Sequence, residues 1–383
     1  MQSSNIVIIS AAGSGKTYRI CEHAISNQNS ENKVLLISYT NRGKEAIIKE
    51  YKKQNLGVLD KNVIVKTWFQ FLLSEWIKPY QASFFNDINL IKSFDFTQAY
   101  GYVNKRPISS PSRYIRGRNI LSNEASRLAL LLNDKSSNAV INRLEKIYEY
   151  IYIDEVQDLS GDDINILEIL FESKINTFCV GDPKQSTYQT YNTKKYKSKT
   201  GRNIYQYFSA LNKDSIVTID VNNKSRRCNS DICKLANIVH PVDPIIESLE
   251  NEDNPHKGVY VISSSDVTDY YACFRPMILR YDKRTQCEFT EVINYGVSKG
   301  MTFERVMIYP NQPLVKLIKN CTPLKSPEKY YVAATRAKHS VCLVIDKMKE
   351  NTLFSSVELE LDSGKKLNVY KMQLQSENTM LKL

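Results

Sequence analysis

The 383-residue sequence predicts an α/β protein with two parallel sheets flanked by helices. Three observations carry this. Short apolar runs at 5–9 (NIVII), 34–38 (VLLIS), 63–66 (VIVK), 151–153 (IYI) and 177–180 (TFCV) each give way to small, polar or acidic residues. Helical patterns separate them, as crossovers between parallel strands require. A second series of strand candidates, 259–263, 306–309 and 341–345, repeats the arrangement in the C-terminal half, so the chain reads as two α/β units.

Taken in order, the first strand stops at a small-residue loop, Ser10 to Gly15, and a helix pattern runs from Lys16 to about Asn27. Residues 101–119 (GYVNKRPISSPSRYIRGRN) break the alternation, and a helical stretch begins at Glu124. This predicts a first domain over 1–72 and 146–210, with a basic, partly helical subdomain inserted at 73–145. A second domain is expected over 211–349. The tail, 350–383, contains SVELEL–DSGK–KLNVYKM, whose alternation around a Gly-containing turn predicts a hairpin.

Composition narrows the function classes. With 42% hydrophobic and 24% charged residues the chain reads as globular, and no apolar run approaches the roughly 18 residues that span a bilayer. The start, Met1 to Ile9, runs into a strand with no basic segment or cleavage site, unlike a signal peptide. The eight cysteines are scattered, with no CxxC pair, which predicts reduced thiols and a cytoplasmic protein, not a disulfide scaffold or a zinc site. A formal charge of +11 favours a polyanionic partner, by release of counterions.

Ala11-Ala12-Gly13-Ser14-Gly15-Lys16-Thr17 follows a strand and opens a helix, the context in which small residues let backbone N–H groups close around phosphates. Ser10 stands where the strict pattern has Gly. Lys16 is the expected partner of the β- and γ-phosphates and Thr17 a ligand of Mg²⁺. The second metal ligand belongs at the end of another core strand, where Asp154 lies; Glu155 beside it would polarise the attacking water. ATP and Mg²⁺ are the expected cofactors.

With those residues in hand, the chain resembles superfamily 1 helicases of the UvrD, Rep and PcrA type. Asp154-Glu155-Val156-Gln157-Asp158 matches the family's DE-x-QD, and Gly181 to Tyr188 (GDPKQSTY) resembles VGD-x-x-QSIY, whose Gln senses the γ-phosphate. Tyr331 to Ala337 (YVAATRA) matches YVA-x-TRA, and Ser298 to Phe303 (SKGMTF) resembles SAKGLEF. Ser225 to Ile232, followed by Ala236-Asn237, is similar to NYRS-x-x-x-I…AN. Tyr39-Thr40-Asn41 and Thr67-Trp68 resemble the strand-facing FTN and TFHSF segments. The resemblance covers about 6–345, with the motifs in family order.

It implies two RecA-like P-loop domains with the ATP cleft between them. It implies catalytic roles for Lys16, Glu155, Gln185, Arg227 and the arginine finger Arg336. The nucleotide would also meet Ala12, Gly13, Ser14, Gly15, Arg226, Gly300 and Thr302. Tyr39, Thr40, Asn41, Thr67, Trp68, Tyr188 and Tyr191 would face single-stranded DNA, RNA not being excluded. In the insertion Arg106, Arg113, Tyr114, Arg116 and Arg118 interleave basic and aromatic residues, which fits either a solvated loop or a nucleic-acid contact.

Departures from the family pattern fall on nucleotide selectivity and strand grip. Arg226 stands at the adenine-stacking Tyr, Thr302 at the ribose-binding Glu, Gly296 at a His, and Thr190-Tyr191 at an aromatic–Arg pair; Gln2 is the one candidate for the glutamine that reads adenine. Asp362…Tyr370-Lys371 lacks the acid that a RecB-like nuclease needs, since Val369 occupies its place, so no nuclease is expected. Only about 70 residues separate Arg227 from Lys299, which leaves a large accessory insertion reduced or absent. The short insertions, SKGMTF (298–303) and DPKQS (182–186) resemble the small helicases that occur as the GajB component of Gabija anti-phage systems, beside an OLD-like nuclease. The resemblance therefore implies a DNA translocase or helicase, 3′ to 5′, with a partner protein and no membrane. A nucleic-acid-sensing regulatory ATPase that controls a nuclease is the alternative.

Overall fold

The computed structural model describes residues 4–28, 31–86, 90–97, 105–187 and 197–373. These fall into two compact units, one running up to Ile9 and then over Lys16–Val221, the other made of Ser10–Gly15 and the chain from Asn222 onward.

The first unit is a six-stranded sheet. Its strands are β1 (Ile6–Ser10), β2 (Lys33–Ser38), β3 (Val63–Thr67), β4 (Tyr148–Ile153), β5 (Asn176–Gly181) and β6 (Thr218–Asn222), in the order β3-β2-β4-β5-β1-β6. The pairs β2–β3, β2–β4, β4–β5 and β1–β5 are parallel. Burial on both faces explains the continuous apolar runs. Because side chains alternate, Val34 and Leu36 face one core with Ile20 and Ala24 of helix α1 (Lys16–Asn27) and Ile47 and Tyr51 of helix α2 (Asn41–Gln54). Leu35 and Ile37 face the other, with Leu128 and Leu132 of helix α3 (Ala125–Lys135) and Leu167 and Leu170 of helix α4 (Asp162–Glu172).

The insertion packs on this second core through Trp76, Tyr114 and Ile120. It carries a small three-stranded sheet in which Asn119–Leu121 lies between Ser93–Asp95 and Ile115–Arg116.

The second unit is a seven-stranded sheet: β7 (Gly258–Ile262), β8 (Met277–Arg280), β9 (Ile293–Asn294), β10 (Phe303–Tyr309), β11 (Ala337–Val344), β12 (Phe354–Glu360) and β13 (Lys366–Met372), in the order β9-β8-β10-β11-β7-β13-β12. Its first five strands pair in parallel. Val259, Val261, Val341 and Leu343 pack against helices α5 (Ser230–Val239) and α6 (Glu328–Ala334), while Tyr260, Ile262 and Cys342 face the opposite core.

The expected α/β class with parallel sheets is what the structure contains. Two boundaries move. The first unit runs on to residue 221, because Thr218–Asn222 joins its sheet beside β1. The hairpin is no separate tail: β13 pairs antiparallel with β7 and extends the second sheet, seating Val369 and Leu367 in its core.

Candidate active site and nucleic-acid face

The loop after β1 turns sharply, with Gly13 at φ 75° and Gly15 at φ 85°, left-handed values that glycine adopts without a Cβ penalty. Asn222 holds both ends of the turn: its carbonyl accepts from the Ala11 N–H at 2.8 Å and its Nδ2 donates to the Ser14 carbonyl at 3.2 Å. The Arg226 N–H donates to the Gly13 carbonyl at 2.9 Å, and the Ala12 N–H donates to the Tyr331 hydroxyl at 3.3 Å. A Cβ on Gly13 would come within 2.6 Å of Ser225 Oγ and 2.7 Å of Arg227 Cβ, so only glycine allows this approach. The hydroxyls of Ser10 and Ser14 are buried without a hydrogen-bond partner. Such orphaned donors fit a phosphate acceptor. Helix α1 begins at Lys16 with no acidic residue in its first turn, so its own first turn does not offset the positive end of its dipole. The loop residues fit a phosphate group, and in the first unit Thr17 and Asp154 are the candidates to hold Mg²⁺.

The acids come from the end of β4. Asp154 is buried, its N–H donating to the Ile37 carbonyl at 2.8 Å and its Oδ1 accepting the Glu155 N–H at 2.9 Å. Glu155 sits at φ 56°. A non-glycine residue held there is a costly conformation that clusters at active sites. Gln157 donates from Nε2 to the Glu155 carboxylate and accepts the Asp182 N–H on Oε1 at 3.0 Å. Asp182 in turn accepts from Gln185 Nε2 at 2.7 Å. Burial pushes the Asp182 carboxyl above its ordinary range, the Lys16 cation opposes that, and the Glu155 charge adds to it. Lys16 and Glu155 thus both act on the Asp182 carboxyl, to which Gln185 donates a hydrogen bond. Gln157 and Asp182 carry no expected role from the sequence, although both stand as letters in DE-x-QD and GDP-x-Q. Gly181 is required beside them, because a Cβ there would lie 2.5 Å from Gln157 Oε1.

The two arginines converge on one segment of the second unit. Arg227 donates to the Thr335 carbonyl at 3.2 Å. Arg336 is 1% exposed and donates to the carbonyls of Val332 at 2.9 Å and Met301 at 3.1 Å and to the Thr335 hydroxyl at 3.2 Å. Gly300 and Thr302 flank that Met301 carbonyl and are exposed, as is Arg226.

The expected strand-facing residues sort differently. The pairing Ser38↔Thr67 brings the ends of β2 and β3 together, and with them Tyr39, Thr40, Asn41 and Thr67. Thr40 caps α2 by accepting the Gly43 N–H at 3.0 Å, and Thr67 forms a reciprocal capping box with Gln70. Asn41 is exposed, and Tyr39 is half-buried against Phe69.

Trp68 corrects the expectation of a base-stacking ring. It is 1% exposed, packs on Phe71, and donates its indole N–H to Asp163 at 2.8 Å. Its position right after the capping residue turns it into the core. Tyr188 and Tyr191 lie outside the described residues, as do Thr190 and Gln2. In the insertion, Arg113 is buried against Glu124 at 3.1 Å and Tyr114 is fully buried, so these two are neither a solvated loop nor strand contacts. Arg106, Arg116 and Arg118 remain exposed.

Comparison with known proteins bears on the same segments. Residues 46–194 match the family model of the UvrD/REP helicase N-terminal domain. The chain is 30% identical over 197 residues to the Gabija protein GajB of Bacillus cereus (strain VD045), a match covering 48% of this chain and 38% of that protein. It therefore spans well under half the length of that relative. Among solved structures, the arterivirus nonstructural protein 10 helicase aligns with a TM-score of 0.45 and 13% identity, over 90% of this chain and 60% of that one. The Bacteroides Pif1 helicase in complex with ADP-AlF3 and single-stranded DNA aligns at 0.36 and 13%, over 91% and 90%. Over residues 46–194, then, this chain is similar to the N-terminal domain of UvrD/REP helicases.

Proposed function

We propose that this chain is an ATP- and Mg²⁺-dependent motor on single-stranded DNA, a translocase or helicase moving 3′ to 5′. The observation that carries it is the hydrogen-bonded chain Glu155–Gln157–Asp182–Gln185, with the Lys16 cation acting on Asp182, alongside a phosphate loop with two orphaned hydroxyls. In this reading Lys16 and the loop N–H groups neutralise the triphosphate, and Thr17 and Asp154 hold Mg²⁺, which supplies charge neutralisation when bound. Glu155, oriented by Gln157, takes a proton from the attacking water. Gln185 reports the γ-phosphate, and Arg227 and Arg336 supply cations to the charge that develops there. Ala12, Gly13, Ser14 and Gly15 wrap the phosphates; Arg226, Gly300 and Thr302 stand on the nucleoside side.

The working form is a complex. Likeness to a Gabija protein supports a role in anti-phage defence beside a partner nuclease of the OLD type, and it favours a second reading of the output, a regulatory ATPase that senses nucleic acid and unwinds little. Among the described residues no helix is long and apolar enough to cross a membrane. ATPase assays with and without single-stranded DNA, run beside displacement of a 3′-tailed duplex, test the proposal. DNA-stimulated turnover with displacement supports the helicase, stimulation without displacement supports the regulator, and no turnover removes both.

A further inference from the structure

The burial of Trp68 leaves the strand-facing end of the first sheet without its expected ring, and its neighbour Phe69 turns the other way. Phe69 is half-buried and meets Tyr39 at 6.1 Å, Phe94 at 5.1 Å and Phe96 at 5.1 Å, the last at an interplanar angle of 86°. Phe94 and Phe96 come from the insertion, at and just after the edge strand Ser93–Asp95 of its small sheet. Phe96 is 62% exposed. A single exposed apolar side chain is ordinary, but Phe96 continues the half-buried rings of Tyr39, Phe69 and Phe94 out to the surface.

The ring is held in place. Thr97 donates both its N–H, at 2.8 Å, and its hydroxyl, at 2.5 Å, to Asp95 Oδ1, closing a tight turn around Phe96. Arg116 reaches across the small sheet to Asp95 Oδ2 at 2.9 Å and Thr97 Oγ1 at 3.3 Å, so one guanidinium ties down the residues on either side of the ring. Arg116 is itself 63% exposed, and Lys92 and Arg118, each one residue before a strand of the small sheet, are exposed too. A fixed aromatic face with cations around it and a chain of charge +11 matches the general build of single-strand sites, where bases stack on rings and cations follow the phosphates.

We infer that Phe96, backed by Phe69 and flanked by Arg116, is a base-stacking platform for single-stranded nucleic acid, supplied by the insertion. This rests on the motor reading above for its choice of occupant. The test is binding of a fluorescein-labelled oligo(dT), followed by anisotropy on the full chain, with thermal melting of each variant. Phe96→Ala should weaken binding about 5- to 150-fold, the scale of one lost stacking contact, with an unchanged melting temperature. Phe96→Trp should restore affinity, with indole emission quenched on adding oligo(dT). Leu56→Ala, a change at a 98% exposed apolar residue elsewhere in the same unit, should bind as the unsubstituted chain does. Equal affinity of Phe96→Ala and the unsubstituted chain would overturn the inference while leaving the motor reading intact. The same holds if Phe96→Ala alters only self-association, which would make the patch a protein interface. Failure of the unsubstituted chain to bind oligo(dT) at all would overturn both.

Discussion

The indole N–H of Trp68 donates to Oδ1 of Asp163 at 2.8 Å, joining the first turn after β3 to the start of α4 inside the larger core of the first unit. Asp163 Oδ1 also takes the Ser126 hydroxyl, and its Oδ2 takes the Ser160 N–H at 3.1 Å. Trp68→Ala should therefore cost about 3–5 kcal/mol of stability, the range for emptying a large core site. Denaturant unfolding checks it. Oligonucleotide affinity of the folded fraction should stay unchanged, and a loss of affinity at full stability would return Trp68 to the strand-facing set.

Glu155→Gln should leave ATP binding intact and lower kcat by at least ~10²-fold, the scale of a lost general base. Its main chain keeps its left-handed conformation and its side chain keeps a hydrogen-bonding group toward Gln157. Steady-state hydrolysis with nucleotide binding measured in parallel reads this out. Turnover at the unsubstituted rate would remove Glu155 from the chemistry.

Gly181→Ala should destabilise the first unit by about 1–3 kcal/mol, as overpacking does, because the added methyl would meet Gln157 Oε1 at 2.5 Å and Val156 Cγ1 at 2.8 Å. Displacing Gln157 also breaks its bridge between Glu155 and Asp182, so kcat should fall while the folded protein still binds ATP. A stable variant with unchanged kcat would show that the bridge has no part in turnover.

Arg336→Ala should lower kcat about 10³-fold or more, as loss of an arginine finger does. It should also lower the melting temperature, since the guanidinium bonds the Val332 and Met301 carbonyls. Measuring kcat well below that temperature separates the two effects. A folded variant with normal kcat would leave Arg336 as a structural residue.

His256 is stacked between Phe274, at 3.6 Å, and Tyr260, at 4.7 Å, with Arg305 donating to its Nδ1 at 3.3 Å. Burial, with the Arg305 and Lys371 cations adding to it, lowers its pKa to about 3. The folded imidazole stays neutral while the unfolded one takes up a proton below about 6.5. Its contribution to stability is thus fully present above pH 6.5 and is lost as pH falls from there toward 3, at no more than about 1.4 kcal/mol per pH unit. Chemical unfolding between pH 7 and pH 5 should show the decline in the unsubstituted chain, and a flatter profile in His256→Gln. Parallel profiles would mean that other groups titrate.

What the sequence by itself determined is local. Apolar runs buried on both faces announce parallel strands, and a small-residue loop before Lys16 marks a candidate phosphate site, because strand burial and loop curvature depend on neighbouring residues. Motif letters likewise single out Asp154, Glu155, Gln185, Arg227 and Arg336 as candidates. The tertiary structure decided what depends on contacts between distant segments. Thr67 and Gln70 close a capping box that sends Trp68 and Phe71 inward and Phe69 outward, and a strand more than twenty residues later brings Phe94 and Phe96 to that ring. By its neighbours in sequence Arg113 fits a solvated loop or a nucleic-acid contact, but the fold pairs it with Glu124, and the C-terminal hairpin reads as a tail until its main-chain groups pair with β7. In each case the side a residue faces is set by partners far along the chain, whose packing no local period encodes.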